Sequence, residues 1–142
     1  MPTELNVRAE HQGDMRWTAA AGGHSIAMDY PIPAGPGEAM KPLEVLMASL
    51  AGCAGNTLVL LLKKLNQPVR AMDIEVWAAR RDEHPTVLTE IALNFTITGT
   101  GIDPAIVKRA LAQSEEHLCP VWAMLKPGTT IKTTFRIVPE EH

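Results

Sequence analysis

The sequence predicts an α+β fold in a single domain that covers residues 1–142. Most segments alternate apolar and polar residues, as half-buried strands do, whereas one central segment is apolar on nearly every side, as a buried helix is. A chain of 142 residues that is 46% hydrophobic fits one core and leaves little room for a second. The predicted order of elements is β-β-β-α-β-β-α-α-β.

Six segments are predicted to be strands because apolar residues recur at every second position. Gly22-Gly23 turns the second strand into the third, which indicates an antiparallel meander at the start of the chain. The fourth and fifth are joined by the loop 82–85 and are expected to pair as a long hairpin. In chain order the predicted strands are Thr3–Glu10, Met15–Ala20, His24–Tyr30, Arg70–Arg81, Val87–Thr98 and Thr129–Val138.

The longest predicted helix runs from Pro42 to about Leu65. Proline suits the first turn of a helix, and the segment is dominated by Ala, Leu and Met, which are good helix formers. Its length approaches that of a membrane span, but Glu44, Asn56 and several glycines favour a buried helix in a soluble protein. A single chain of this size offers little to cover such a helix on all sides, so the sequence predicts a homodimer.

Two shorter helices are predicted near the C-terminus. Asp103 is a capping residue with Pro104 at the first helical position, and this helix extends to about Leu118. The dipeptide 119–120, Cys-Pro, interrupts it, and Val121–Leu125 is expected to form another turn or two of helix.

Charge and composition exclude several classes of function. Thirteen basic and sixteen acidic side chains give a net charge of −3 with no long run of either sign, so neither nucleic acid nor a membrane is an expected partner. The first ten residues lack the basic start and apolar run of a secretory signal, which favours the cytoplasm.

The two cysteines, Cys53 and Cys119, are the residues most able to carry chemistry. In a reducing compartment they are core residues, metal ligands or a redox pair. Their separation of 66 residues excludes CxxC chemistry and a short zinc knuckle, and a zinc site would need His117 and a further ligand. A Cys-His hydrolase would pair one cysteine with a histidine, but no nucleophile-elbow pattern frames either cysteine. No metal and no cofactor are expected.

The surroundings of the two cysteines differ. Cys53 lies in mid-helix, where helical spacing brings a narrow polar stripe of Ser49, Asn56 and Thr57 onto its face; the alternative is an inert core cysteine. Cys119 precedes Pro120 and is expected to cap the next helix, whose positive end would stabilise a thiolate and lower the pKa. The alternative there is an unreactive cysteine at a helix break.

Three charged residues lie near the predicted entrance of the long helix: Arg16, Glu38 and Glu44. A guanidinium oriented by a carboxylate would favour a reactive thiolate, and Arg16 with Glu44 is the pair expected to do so. The alternative is an exposed strand arginine and a glutamate that stabilises a helix N-terminus.

Three segments resemble the OsmC/Ohr family, the osmotically inducible protein C and organic hydroperoxide resistance proteins, in its general OsmC-like branch. They are KPLEVLMASLAGCAGNTL at 41–58, HPTVLTEIALNFTITGTGID at 84–103 and SEEHLCPVWAML at 114–125. The resemblance implies an OsmC-like fold in which an antiparallel sheet packs on a long central helix in an intertwined homodimer.

The resemblance also implies a function. Cys53 becomes the peroxidatic and Cys119 the resolving cysteine of an organic hydroperoxide reductase, which a dithiol such as a lipoylated protein recycles. Activation of the thiolate falls to Arg16 and Glu44. The residues expected to contact substrate are Leu46, Ser49, Leu50 and Trp122. The alternative is a non-catalytic dimer of the same fold that binds an apolar small molecule or senses redox stress.

Overall fold

The structure, a computed structural model, describes residues 3–141. It has the predicted element types in the predicted order, with a turn of π-helix added between the last two helices. The strands are β1 (Arg8–His11), β2 (Trp17–Ala21), β3 (His24–Met28), β4 (Ala71–Arg80), β5 (Leu88–Thr98) and β6 (Thr130–Val138). The helices are α1 (Pro42–Lys64), α2 (Pro104–Gln113) and α3 (Pro120–Leu125), and the π-helical segment is Ser114–Leu118. The predicted α+β class is confirmed.

The described residues fall into two compact units, one ending at Met47 and the other beginning at Ala48. The first unit contains β1, β2 and β3, which pair as the predicted antiparallel meander. β1 begins at Arg8, later than the predicted Thr3. The expectation of one domain over residues 1–142 stays a prediction.

A buried carboxylate organises the loop that follows β3. Asp29 is fully buried; its Oδ1 accepts a hydrogen bond from the Tyr30 N–H at 2.7 Å and its Oδ2 one from the Glu38 N–H at 3.0 Å. These two hydrogen bonds hold the pKa of Asp29 below its ordinary value of 3.8, and the bond from the Glu38 N–H has the larger effect. Because Asp29 engages the loop, β3 ends at Met28 and not at the predicted Tyr30.

Helix α1 follows the prediction closely. Its first turn is closed by Glu44, whose Oε1 accepts a hydrogen bond from the backbone N–H of Lys41 at 2.9 Å, as in one half of a capping box. Among the described residues it is the one helix long and apolar enough to cross a membrane, with a mean hydropathy of 2.0. Within the chain it buries one set of residues: Leu50, Ala54, Gly55, Leu58 and Leu62.

Strands β4, β5 and β6 form a second sheet with β5 in the centre. The predicted hairpin of β4 and β5 is antiparallel, but β6 lies parallel to β5, so the sheet is mixed and the wholly antiparallel prediction needs this correction. The parallel pairing arises because the chain crosses over through α2 and α3 before it enters β6. Helix α1 packs on this sheet, since a Cβ added to Gly55 would lie 2.9 Å from Ile74 Cδ1.

The start of α2 is also as predicted. Asp103 Oδ1 accepts a hydrogen bond from the Ala105 N–H at 2.9 Å, and Pro104 occupies the first turn. The α-helical part ends at Gln113, and the chain continues as π-helix to Leu118. The predicted extent of this helical region is confirmed, while its last turn is of a different type.

The break at Cys119 has a backbone cause. Pro120 disfavours a helical conformation in the residue before it, and Cys119 is extended, with φ −83° and ψ 108°. The Cys119 N–H bonds the Ser114 carbonyl, five residues back, at 2.9 Å and so closes the π-helical turn. Cys119 then stands at the cap of α3, as the sequence predicts.

Candidate functional site

Two thiols that are 66 residues apart in the sequence lie side by side in the structure. Cys53 comes from the middle of α1, and Cys119 from the junction of the π-helical segment with α3. Their Sγ atoms are 3.1 Å apart, and the Cys119 S–H donates to Cys53 Sγ. Both cysteines are free thiols, and a disulfide bond, at about 2.05 Å, needs only a small further approach. This geometry fits a redox pair.

Burial keeps Cys119 in its thiol form. The residue is only 1% exposed, and desolvation, with the hydrogen bond to Cys53 as the second cause, raises the pKa of Cys119 from 9.0 to about 11. The backbone N–H groups of Trp122 and Val121, at the start of α3, lower the pKa of Cys119, but by less than burial raises it. The prediction of a lowered pKa at this helix end is therefore wrong, because burial outweighs the helix terminus.

A pair of hydroxyl groups links the segments that carry the two cysteines. Thr57 Oγ1 and Ser114 Oγ are 2.7 Å apart, and the Thr57 hydroxyl also lies 3.1 Å from the carbonyl oxygen of Cys53. Ser114 is fully buried. The sequence places Thr57 on the face of Cys53, but it gives no signal for Ser114, because the position of that residue depends on the π-helical turn.

The remaining predicted neighbours of the cysteines differ in exposure. Ser49 and Asn56 are exposed, Leu46 is half-buried, and Leu50 is completely buried. Trp122 is buried as well, and its indole Nε1 has no hydrogen-bond partner among residues 3–141. Leu50 and Trp122 are thus core side chains on the elements that bear the thiols, and a role for any of these residues in substrate binding stays a prediction.

Arg16 forms its ion pair with Glu38 and not with Glu44. The Nη1–Oε2 distance is 2.8 Å, whereas the Glu44 carboxylate is engaged with the backbone of Lys41 at the start of α1. The bond from the Glu38 N–H to Asp29 fixes the loop that presents Glu38 to the guanidinium. The expected Arg16–Glu44 pair is therefore corrected to Arg16–Glu38, because the hydrogen bond between Asp29 and the Glu38 N–H places Glu38 beside the guanidinium.

Metal-binding side chains do not gather in the described part of the chain. Between residues 3 and 141, no three His, Cys, Asp or Glu side chains are placed to hold one ion. The side chain of His117 is 68% exposed and lies 3.6 Å from Glu116. The candidate site therefore consists of the two thiols and the groups that surround them.

Comparisons with known proteins match both the fold and the cysteine segments. Residues 35–134, which include both cysteines, match the family of OsmC-like proteins. Protein YhfA of Escherichia coli K12 is 32% identical over 120 residues, which make up 84% of this chain and 87% of that protein.

Solved structures share the whole architecture. A hypothetical protein from Aquifex aeolicus superposes with a TM-score of 0.88 at 26% identity, covering 99% of this chain and all (100%) of that one. An organic hydroperoxide resistance protein from Legionella pneumophila has a TM-score of 0.72 at 15% identity over 94% of this chain and 96% of its own, which shows a shared fold. With a family match over more than half of its length, the chain belongs to the OsmC-like protein family.

Proposed function

We propose that the protein is a thiol-dependent peroxidase that reduces organic hydroperoxides in oxidative stress defence, with Cys53 peroxidatic and Cys119 resolving. The observation that carries this proposal is the 3.1 Å contact between the two Sγ atoms. Such a peroxidase oxidises one thiol and then closes a disulfide with the second, so both sulfurs must lie within reach in the reduced protein. Cys53 is half-buried and Cys119 fully buried, which supports the roles because the peroxide has to reach only the first sulfur.

In the first step the Cys53 thiolate attacks the terminal oxygen of ROOH. An S–O bond forms as the O–O bond breaks, the alkoxide leaves and takes up a proton as ROH, and Cys53 becomes a sulfenic acid. The Cys119 sulfur then attacks the sulfenic sulfur, and hydroxide leaves with the Cys119 proton as water. A dithiol reduces the resulting disulfide by exchange and is itself oxidised to a disulfide.

The protonation of Cys119 supports this order of events. With a pKa of about 11, Cys119 is a thiol at neutral pH and does not compete for the peroxide, because the thiolate is the nucleophile. As a thiol it donates a hydrogen bond to Cys53, and such a bond is stronger when the acceptor is charged. The same proton is available to the departing hydroxide in the second step.

Further residues enter the proposal as predicted contributors. Arg16, with Glu38 as its carboxylate partner, is the predicted source of positive charge that would favour the thiolate. Apolar surroundings would prefer an alkyl peroxide to hydrogen peroxide, and Ser49 would adjoin the substrate. The apolar residues are Leu46, Leu50 and Trp122.

The protein is proposed to be a cytoplasmic homodimer. A dithiol, for which a lipoylated protein is the candidate, reduces its disulfide after each turnover. A dimer is supported by α1, since only 28% of its most apolar 18-residue window is buried within the chain.

The test is consumption of tert-butyl hydroperoxide and, in parallel, hydrogen peroxide by the purified protein with dihydrolipoamide. Wild type is compared with Cys53→Ser and Cys119→Ser. We expect turnover that is lost without Cys53, and a sulfenic acid without an intramolecular disulfide in Cys119→Ser. We also expect tert-butyl hydroperoxide to be the faster substrate.

Each expectation has a contrary outcome. Turnover that persists in Cys53→Ser would remove the assignment of the peroxidatic cysteine, and equal rates with both oxidants would remove the preference for organic peroxides. Absence of turnover in wild type would leave the family assignment intact. It would favour the alternative, an OsmC-like protein that senses redox stress or binds an apolar small molecule.

A further inference from the structure

The two cysteines are joined through more than their sulfurs. A chain of hydrogen bonds connects the backbone of Cys119 with the helical turn that bears Cys53. The Cys119 N–H donates to the Ser114 carbonyl at 2.9 Å, the Ser114 and Thr57 hydroxyl oxygens are 2.7 Å apart, and the Thr57 hydroxyl proton is shared between the carbonyls of Ala54 at 3.0 Å and Cys53 at 3.1 Å. The contact between the Sγ atoms at 3.1 Å closes this chain into a ring. Ser114 is the residue in the ring that bonds Cys119 through its carbonyl and helix α1 through its hydroxyl.

The position of Ser114 follows from the local backbone. An ordinary α-helical turn would bond Cys119 to residue 115, whereas here its N–H reaches back one residue further, to Ser114. The π-helical turn therefore directs Ser114 into the core, where it is fully buried, with its carbonyl on Cys119 and its hydroxyl on α1. A buried hydroxyl without a partner is unfavourable by about 1–3 kcal/mol, so the bond to Thr57 is expected to be maintained.

We propose that Thr57 and Ser114 are positioning residues that hold Cys119 against Cys53 for disulfide closure. This inference rests on the proposed function for its biological meaning. Neither hydroxyl exchanges atoms with the substrate; the reaction that they assist is attack of the Cys119 sulfur on the sulfenic sulfur of Cys53, with loss of water. Holding two reacting groups in place raises their effective concentration, and that quantity can be measured without a peroxide.

The first experiment equilibrates the folded protein with mixtures of reduced and oxidised glutathione and measures the fraction in the disulfide form. One molecule of oxidised glutathione gives the Cys53–Cys119 disulfide and two molecules of reduced glutathione, so the equilibrium constant is the effective concentration of the two thiols. Without the bond between the hydroxyls, the reduced protein gains conformations in which the two sulfurs are apart, so the effective concentration should decrease in Thr57→Val and in Ser114→Ala, by about tenfold if those conformations are favoured by the energy of one net hydrogen bond. Thr57→Ser, which keeps the hydroxyl, should stay near the wild-type value.

The second experiment follows disulfide closure after one equivalent of tert-butyl hydroperoxide. In Thr57→Val and Ser114→Ala, formation of the sulfenic acid should proceed at the wild-type rate, while closure slows by about tenfold. More sulfenic acid should then be captured by dimedone. If wild type does not react with the hydroperoxide, the proposed function fails, but the glutathione equilibrium still decides the roles of Thr57 and Ser114.

The control is Thr134→Val, which removes a hydroxyl that donates to Asn94 Oδ1 at 2.6 Å on the second sheet. It should lower stability without changing the effective concentration. A double variant, Thr57→Val with Ser114→Ala, should lose less than the sum of the single losses, because both act through one bond. Effective concentrations equal to wild type in both single variants, with only the melting temperature lowered, would overturn the proposal.

Discussion

At the scale of single residues, burial decides the chemistry of Cys119 more than its sequence neighbours do. Pro120 and the cap position of α3 can be predicted from the sequence, because both depend on adjacent residues. The 1% exposure of Cys119 cannot, since it results from packing between elements that are distant in the sequence. Helical spacing predicts that Thr57 lies beside Cys53, because both residues belong to one helix. The sequence does not predict the contact of Ser114 with Thr57 or the Arg16–Glu38 pair, because each joins residues that are distant in the sequence.

Replacing Cys53 with alanine should lower the pKa of Cys119 from about 11 but leave it above 9.0. Burial is the largest cause of the rise and remains, while the hydrogen bond to Cys53, the second cause, is lost. The pKa can be measured from the ultraviolet absorbance of the thiolate, with Cys119→Ser as the matched single-thiol control. A value at or below 9.0 would contradict the dominance of burial.

The raised pKa of Cys119 makes the stability of the wild-type protein depend on pH. The folded protein holds the Cys119 proton more tightly than the unfolded chain, so the free energy of unfolding is undiminished below pH 9 and falls as the pH rises toward 11. Denaturant titrations at several pH values should show this fall in wild type and a smaller one in Cys119→Ser.

At the scale of elements, regular segments can be predicted and exceptions to regularity cannot. The start of α1 at Pro42 and the β4–β5 hairpin follow from local residues and from periodicity. The π-helical turn depends on a single shifted hydrogen bond, and the parallel pairing of β6 depends on the crossover of the chain through α2 and α3. Neither feature changes the apolar pattern, so the sequence contains no periodic signal for it.

The packing of α1 on the second sheet can be tested at Gly55. Alanine at a mid-helix glycine ordinarily stabilises by about 1 kcal/mol, but here the new Cβ would lie 2.9 Å from Ile74 Cδ1. Cδ1 is the far end of a flexible, half-buried side chain, so it can shift at a small cost. Gly55→Ala should therefore raise the free energy of unfolding by less than the roughly 1 kcal/mol that an unhindered helix position gains.

The matched control shortens the opposing side chain. Ile74→Val removes the Cδ1 atom that the new Cβ would meet, so the double variant with Gly55→Ala should be less destabilised than the sum of the single changes. Denaturant unfolding of all four proteins measures this coupling. A full gain of about 1 kcal/mol for Gly55→Ala alone would show that the helix does not pack on Ile74 this closely.

At the scale of the whole molecule, the sequence predicts both the family and the need for a partner. Family membership is expected from three segments that resemble the family in the same order, and the match over residues 35–134 confirms it. The need for a partner follows from a helix with no polar face, and the structure leaves Val59 and Leu60 of α1 41% and 59% exposed. Which surface a second copy would cover cannot be predicted from one sequence, because two identical chains carry the same apolar pattern.

We expect wild type to be a dimer and Leu60→Glu to be monomeric at the same concentration. A charge placed on an apolar contact surface is desolvated on association, which weakens the dimer strongly. Sedimentation equilibrium gives the assembly state, and Gln113→Glu, an exposed change of the same charge on α2, is the control. A monomeric wild type would remove the dimer proposal.

The parallel pairing of β6 also constrains the order of events during synthesis. β5 is complete at Thr98, but its second neighbour, β6, consists of residues 130–138. While the chain is being made, the central strand therefore has one unpaired edge until residues 130–138 have left the ribosome, and unpaired edges favour aggregation. Removal of residues 130–138 would expose that edge permanently, although both cysteines would still be present.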